Sequence, residues 1–478
     1  MTSSTTAAAG PTAAPEHEVG GQGLALAVIA SWMLLVGIDA TIMNVALPDM
    51  QAPLHFKTAD LAWVLNGYTL AFGGLLLLGG RLGDIMGRRN AFVAGVVIFT
   101  VASAVGGAAT TGWMLIAARI VQGAGAALAG PSTMALLMTT FPGASRARAL
   151  AVYSAVGGAG ASVGLIAGGV LTDFASWRWV LFANVPIGLV MAILTPRLVK
   201  TPPRNPAVRL DIVGAVLGTL GVGGLTYAFI RAASAGWGER WVVASFVATG
   251  VLLVLFLIVE LRVKDPVTPI HLFGDRRRNG AFLATLFLTA AMFSPFFLLT
   301  QFQEGVFGFS PLRLGLAFLP MTAGQFGAIR LVPKLLPKYG PLPLLGGGIT
   351  LIVIGMAWLT QLSVDSGYWS GVFAPLLLIG IGGGICFPTL NMSILQKVEM
   401  KDSAAASGLL QTLQWVGGTI GLAVFVTIFG NALRADSTGN ATHALAHGVA
   451  TAFLAAAVCA AGALVAALIS FRGRRATA

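Results

Sequence analysis

The 478-residue sequence predicts an all-α polytopic membrane protein. Three observations carry that reading. First, 56% of the residues are hydrophobic and only 10% charged, with a mean hydropathy of +0.85, whereas roughly a quarter of a soluble domain is charged. Second, apolar runs of about 20 residues, the length that crosses a bilayer as a helix, recur along the chain. Third, the basic residues gather in every second connection between those runs. The same figures exclude a disordered chain. With only two cysteines, Cys386 and Cys459, both inside apolar runs, they also exclude a disulfide scaffold.

Walking the chain with a 20-residue ruler places spans near 24–46, 60–80, 91–109, 113–136, 149–171, 178–198, 211–233, 240–260, 279–302, 312–334, 341–361, 371–393, 404–429 and 446–470. Residues 1–22 are small, polar and proline-bearing, with Glu16 and Glu18 where a secretory signal would be basic; they are expected to form a disordered tail. Fourteen spans put both termini on one side. With that side cytoplasmic, the inner segments hold all but seven of the 29 Lys and Arg residues, the seven being Lys57, Arg119, Arg178, Arg231, Arg240, Arg313 and Arg434. The positive-inside rule then orients the protein, and the net charge of +12 needs no nucleic-acid partner. Two longer inner segments divide the chain into six, two and six spans: an N-terminal bundle over 23–198, a two-helix insertion with its linkers over 199–278, a C-terminal bundle over 279–471 and a basic tail over 472–478. Repeated halves of this kind are a common transporter plan.

Ionisable groups inside a span are costly and mark candidate function. Two lie clearly within: Asp39 in the first span and Arg119 in the fourth. Asp39 precedes the outer end of its helix by seven residues, and Arg119 follows the outer start of its own by six. At about 1.5 Å per residue both sit roughly 9 to 10 Å below the outer surface and can meet. One reading is a carboxylate that exchanges its proton with the outside, pulled in opposite directions by burial and by the arginine. The other is a permanent ion pair locking two helices. Gln122 shares the face of Arg119, and Trp32 and Met43 that of Asp39, by helical spacing. Together with Asn44, Phe297, Gln301, Gln411 and Gln414 they are expected to line a substrate cavity, where aromatic and amide groups in apolar walls suit bulky, weakly polar ligands.

Glycine supplies 62 residues. The ladder Gly160, Gly164, Gly168 with Gly169 in the fifth span allows close helix approach; it fits either plain packing or a helix that slides during a conformational cycle. Soluble-enzyme patterns fall away. Gly160 to Gly164 spell G-x-S-x-G, but inside an apolar span rather than a strand–turn–helix elbow. The chain has no G-x-x-x-x-G-K-[ST] loop for ATP, so active transport would draw on an ion gradient without a cofactor. His443 and His447 have no third ligand, and no metal site is expected.

Four stretches resemble the major facilitator superfamily and, within it, the fourteen-span drug:proton antiporters. Gly80-Arg81-Leu82-Gly83-Asp84-Ile85-Met86-Gly87-Arg88-Arg89 is similar to the signature cytoplasmic loop between spans two and three. Arg119-Ile120-Val121-Gln122-Gly123-Ala124-Gly125 resembles an element whose arginine the family associates with proton transfer. Asp39 to Pro48 resembles the first-span stretch of the fourteen-span branch, and Trp177-Arg178-Trp179 with Asn184-Val185-Pro186-Ile187-Gly188 resembles its entry to span six. Two departures stand out: Leu165 replaces the proline that usually follows Gly164 in the antiporter motif, and Pro337 falls where the second-half loop would carry the counterpart of Asp84. In the loop between spans two and three Asp84 is placed to accept from Arg88 and to face the positive N-terminal end of span thirteen near Ser403, a latch that opening would break; a solvated loop that only sets topology is the alternative.

The resemblance implies a proton-coupled exporter of hydrophobic drugs or antibiotics, not an enzyme, working by alternating access in the cell membrane. Its expected partners are the bilayer, a hydrophobic small molecule and protons, and a monomer is expected. The rival readings are a transporter of another cargo, such as a lipid, siderophore or endogenous metabolite, and a non-transporting membrane protein.

Overall fold

The computed structural model describes residues 16–54, 56, 63–200, 211–263, 266–396, 398–399, 402–435 and 440–471. The tail before Glu16, the basic tail over 472–478 and the side chain of Asn44 lie outside the described residues. Among those described, every regular element is helical. Seven helices make the N-terminal bundle: α1 (Glu16–Gln51), α2 (Trp63–Met86), α3 (Arg88–Gly107), α4 (Gly112–Thr140), α5 (Ala144–Phe174), α6 (Trp177–Phe182) and α7 (Asn184–Leu198). The insertion is α8 (Ile212–Ala235) and α9 (Arg240–Glu260). The C-terminal bundle is α10 (Arg276–Gly305), α11 (Pro311–Ala317), α12 (Leu319–Ile329), α13 (Val332–Tyr339), α14 (Pro341–Leu359), α15 (Ala374–Leu395, entered through a π-helical turn Trp369–Phe373), α16 (Ser403–Ala435) and α17 (Ala441–Phe471). Twelve of the described helical stretches are long and apolar enough to cross a membrane.

The differences from the expected spans have local causes. Helix α1 begins at Glu16, inside the stretch expected to be disordered. The sixth span is two helices meeting at Ala183. The tenth is not one rod: Pro320 in the first turn of α12 brings no N–H to the preceding helix, and the chain breaks at Phe318. Asp275 accepts from the backbone N–H groups of Arg277 (2.7 Å) and Arg278 (3.3 Å) and so starts α10 three residues earlier than expected.

Glycines set the tightest crossings. Helix α5 lies along α1, and a Cβ placed on Gly160 would come 2.8 Å from the Leu34 carbonyl oxygen. Gly164 and Gly168 meet the backbone of Ile38 and Ile42 in the same way, and Gly169 is buried. The ladder is thus a packing seam against the helix that carries Asp39. Between the halves, α16 crosses α2 and α4, while α11 and α12 lie on α5. The α8–α9 pair adds to this frame from outside, with α8 resting on both α2 and α16.

Candidate functional site

Five helices bring polar groups to one fully buried point in the N-terminal bundle. Asp39 (α1) and Arg119 (α4) are 0% and 1% exposed, and Arg119 Nη1 donates to Asp39 Oδ2 at 2.7 Å. The other carboxylate oxygen, Oδ1, accepts from Gln122 Nε2 (2.9 Å) and from Asn184 Nδ2 (3.0 Å) at the first residue of α7. Arg119 is held from three further directions. Its Nε donates to the Val64 carbonyl (3.1 Å), its Nη1 also to Gln122 Oε1 (2.6 Å), and its guanidinium lies 4.4 Å from the centre of the Tyr68 ring. Ser103 Oγ on α3 takes the remaining Gln122 N–H at 2.8 Å.

The chemistry follows from this donor set. Every group aimed at Asp39 is a donor, so the site is built for a carboxylate. A proton on either oxygen would introduce an O–H with no acceptor facing it, and at least one of Arg119, Gln122 or Asn184 would have to move. A neutral Asp39 is therefore incompatible with keeping all three of these contacts as they stand. Taking two ions out of water costs several kcal/mol each, and removing one partner leaves the other stranded at a cost of roughly 3–5 kcal/mol.

The matching depth of Asp39 and Arg119 was legible in the sequence; Tyr68, Ser103 and Asn184 were not singled out. Asn184 lay in a stretch carrying the family resemblance, and Tyr68 stands one turn beyond Val64 on the helix facing Arg119. The expected cavity residues scatter. Trp32 is 1% exposed and lies between Phe92 and Phe99, with ring centres 6.1 and 5.5 Å away. Met43 is fully buried among Ile42, Leu115, Trp177 and Leu181. Neither lines a cavity: both share the face of Asp39, and that face points into the N-terminal bundle rather than across to the other half. Gln122 belongs to the carboxylate shell. Phe297 is half-buried edge-on to Phe429 at 6.3 Å, and Gln301 is half-buried. Gln411 sits where α16 crosses α4, its Oε1 2.7 Å from where Gly130 would carry a Cβ, and Gln414 Nε2 reaches Asn391 Oδ1 at 3.4 Å. A groove of about 490 Å³ opens between α11, α12 and the start of α15, lined by Phe309, Arg313, Tyr368, Trp369 and Phe373 among others, and contains none of the eight.

The loop expected to form the cytoplasmic gate joins α2 to α3. Gly87 has φ 87°, a left-handed conformation that glycine adopts freely, which turns the chain from α2 into α3. Asp84 stands between Arg81 (3.8 Å) and Arg88 (3.6 Å), and Arg89 donates to the Pro196 and Val199 carbonyls at 3.4 Å. Gly80 and Gly83 are buried in the last turns of α2. Across the interface, a Cβ on Gly408 of α16 would lie 3.5 Å from the Leu76 carbonyl oxygen and 3.8 Å from Gly80 Cα. The carboxylate of Asp402, just before α16, is close enough to Asp84 for their charges to interact.

A sequence profile of the Major Facilitator Superfamily matches residues 29–422. The chain belongs to the major facilitator superfamily. Among major facilitator relatives, a puromycin resistance protein of Streptomyces alboniger is 40% identical over 87% of this chain and 84% of its own length. A cephamycin export protein of Amycolatopsis lactamdurans is 39% identical over 88% and 87%. In three dimensions the fold is similar to that of the human organic anion transporter MFSD10, with a TM-score of 0.61 and 15% identity over 94% of this chain and all of that one. This is therefore a multi-pass membrane transporter fold, with the two halves of a major facilitator and the α8–α9 pair set against their seam.

Proposed function

We propose that this protein exports hydrophobic antibiotics across the cell membrane in exchange for protons, by alternating access between its two halves. The carrying observation is the Asp39–Arg119 pair: a fully buried carboxylate whose hydrogen-bond partners among the described residues are all donors, so that its protonation displaces at least one of the side chains tying α1 to α4 and α7. The names of the relatives supply the cargo class, since antibiotic resistance and export are what such a device would perform. The one-sided basic residues support cytoplasmic termini; on this reading the Arg81–Arg89 loop is the cytoplasmic gate, and the chain crosses the bilayer fourteen times in a six, two, six order. Energy comes from the proton gradient without a bound cofactor, and the working unit is a monomer. In one cycle, a proton taken from outside neutralises Asp39, releases Arg119 and favours opening inward; cargo binding and loss of the proton restore the closed pair.

Reconstitution tests this directly. Proteoliposomes with an imposed proton gradient should move puromycin or a cephamycin against its concentration, and Asp39→Asn should abolish that movement while leaving equilibrium binding measurable. Movement that persists after the gradient is collapsed with an ionophore overturns the proton coupling. Movement of neither compound overturns the cargo class.

A further inference from the structure

A run of aromatic rings leads from the Asp39–Arg119 pair into the opposite half of the molecule. The Tyr68 ring lies under Arg119. One turn along α2, Phe72 stands 5.7 Å from Tyr68 and 4.7 Å from Trp415 of α16, edge-on. Trp415 in turn meets Phe293 of α10 at 6.0 Å. Tyr68 and Phe72 are buried at 2% and 1% exposure, whereas Trp415 and Phe293 are half-buried. The run is closed at its arginine end and accessible at its tryptophan end. One polar group on it is unsatisfied among the described residues: Tyr68 Oη is buried with no hydrogen-bond partner.

We propose that Trp415 and Phe293 form the subsite for a planar aromatic part of the cargo, and that Trp415 is the positioning residue through which occupancy reaches Arg119. This rests on the exporter reading above. Rings in direct contact repack together, because a rotated Trp415 would leave Phe72 unsupported and a shifted Phe72 would displace Tyr68 from beneath the guanidinium. A planar group stacking on Trp415 thereby changes what holds Arg119 to Asp39, 80 positions apart in sequence and on different helices. The half-exposed end belongs to the C-terminal bundle and the buried end to the N-terminal one, so the relay spans the interface that alternating access must break and remake.

The test reads the Asp39 equilibrium without needing transport. Spin labels at Asn90 and Tyr339, both exposed, report the separation of the two halves at the gate end as pH is varied, in protein whose Cys386 and Cys459 are replaced by alanine. The charged or titratable groups facing Asp39 are Arg119 on α4 and, through it, Tyr68 on α2, while Gln122, Ser103 and Asn184 are neutral; Arg178 at the start of α6 is occupied with the Gly107 and Ala109 carbonyls. Trp415→Ala, and Trp415→Leu as the variant that keeps bulk, should move the pH midpoint of the distance change by at least one unit, a tenfold change in proton affinity. Trp415→Phe should keep it. Combining Trp415→Ala with Phe72→Ala should add nothing further. Puromycin, which carries aromatic rings, should move the wild-type midpoint and leave that of Trp415→Ala in place. A wild-type midpoint in both ring-less variants, or a wild-type distance that does not respond to pH, overturns the relay. The two readings separate: flux with an unmoved Trp415→Ala midpoint sinks the relay alone, and a moved midpoint without flux of either antibiotic sinks the exporter reading alone.

Discussion

At the scale of single residues, the Asp39 shell makes the sign of each substitution derivable. Asn184 and Gln122 each donate one hydrogen bond to Oδ1. Removing either leaves Oδ1 one donor short, so Asn184→Ala should loosen the closed pair and slow gradient-driven uptake several-fold while folded protein is still recovered. The measurement is the initial uptake rate in vesicles at one fixed gradient, and an unchanged rate would contradict the donor role. Arg119 is harder to spare. Arg119→Ala strands a buried carboxylate and should lower folding stability by roughly 3–5 kcal/mol, seen as a lower melting midpoint in detergent; Asp39→Asn/Arg119→Ala together should recover part of that loss, because no unpaired charge remains. The pair could be found from sequence because charge inside an apolar run is rare and depth can be counted along a helix. Its neutral partners could not: Ser, Asn and Tyr occur throughout apolar spans, and only the crossing angles of α2, α3 and α7 decide which of them point at Asp39.

At the scale of helices, small residues decide what can move against what. A side chain on Gly160 would collide with the backbone of Leu34, and overpacking of this kind costs about 1–3 kcal/mol. Gly160→Val should therefore lower the melting midpoint and the yield of folded protein, and it should weaken the support for Asp39 because α1 is displaced. Gly250 on α9 has nothing within 4 Å of a built Cβ; Gly250→Ala should be neutral or slightly stabilising through its helix propensity. Equal effects in thermal unfolding would show that the α1–α5 seam is not the tight contact. The periodic apolar runs revealed nearly all of these helices, but not how they interrupt themselves. The break at Phe318 and the π-helical entry to α15 depend on a proline's missing donor and on local packing, which a hydropathy count averages away. Face assignment failed for the same reason at Trp32 and Met43: helical spacing correctly grouped them with Asp39 but could not say toward which neighbour that face turned.

At the scale of the whole molecule, the insertion is tied to the gate through its second linker. Glu260 at the end of α9 accepts from the backbone N–H groups of Val267 (3.2 Å) and Thr268 (2.9 Å). That fixes the 3₁₀ turn Ile270–Phe273, from which His271 Nε2 meets Asp402 Oδ2 at 2.9 Å, beside the charges of Asp84, Arg81 and Arg88. Arg278 then binds the turn's Leu272 carbonyl (3.3 Å) and the Gln396 carbonyl (3.4 Å). The linker thus touches the α9 end, the start of α16 and the start of α10, three parts that must shift relative to one another when this end opens. Because His271 is mostly exposed, its pairing with Asp402 is weak, and His271→Ala should act mildly. Glu260→Ala should act more strongly, since it strips two buried backbone donors of their acceptor at about 1–3 kcal/mol each and frees the turn. With a cysteine introduced at the buried Ala405 in a background without the native cysteines, a water-soluble maleimide should label Glu260→Ala several-fold faster than the parent and His271→Ala only slightly faster. The order matters more than the size: equal labelling in all three would mean that the linker rides on the gate without holding it shut, and that α8 and α9 serve the protein only by covering the α2–α16 seam.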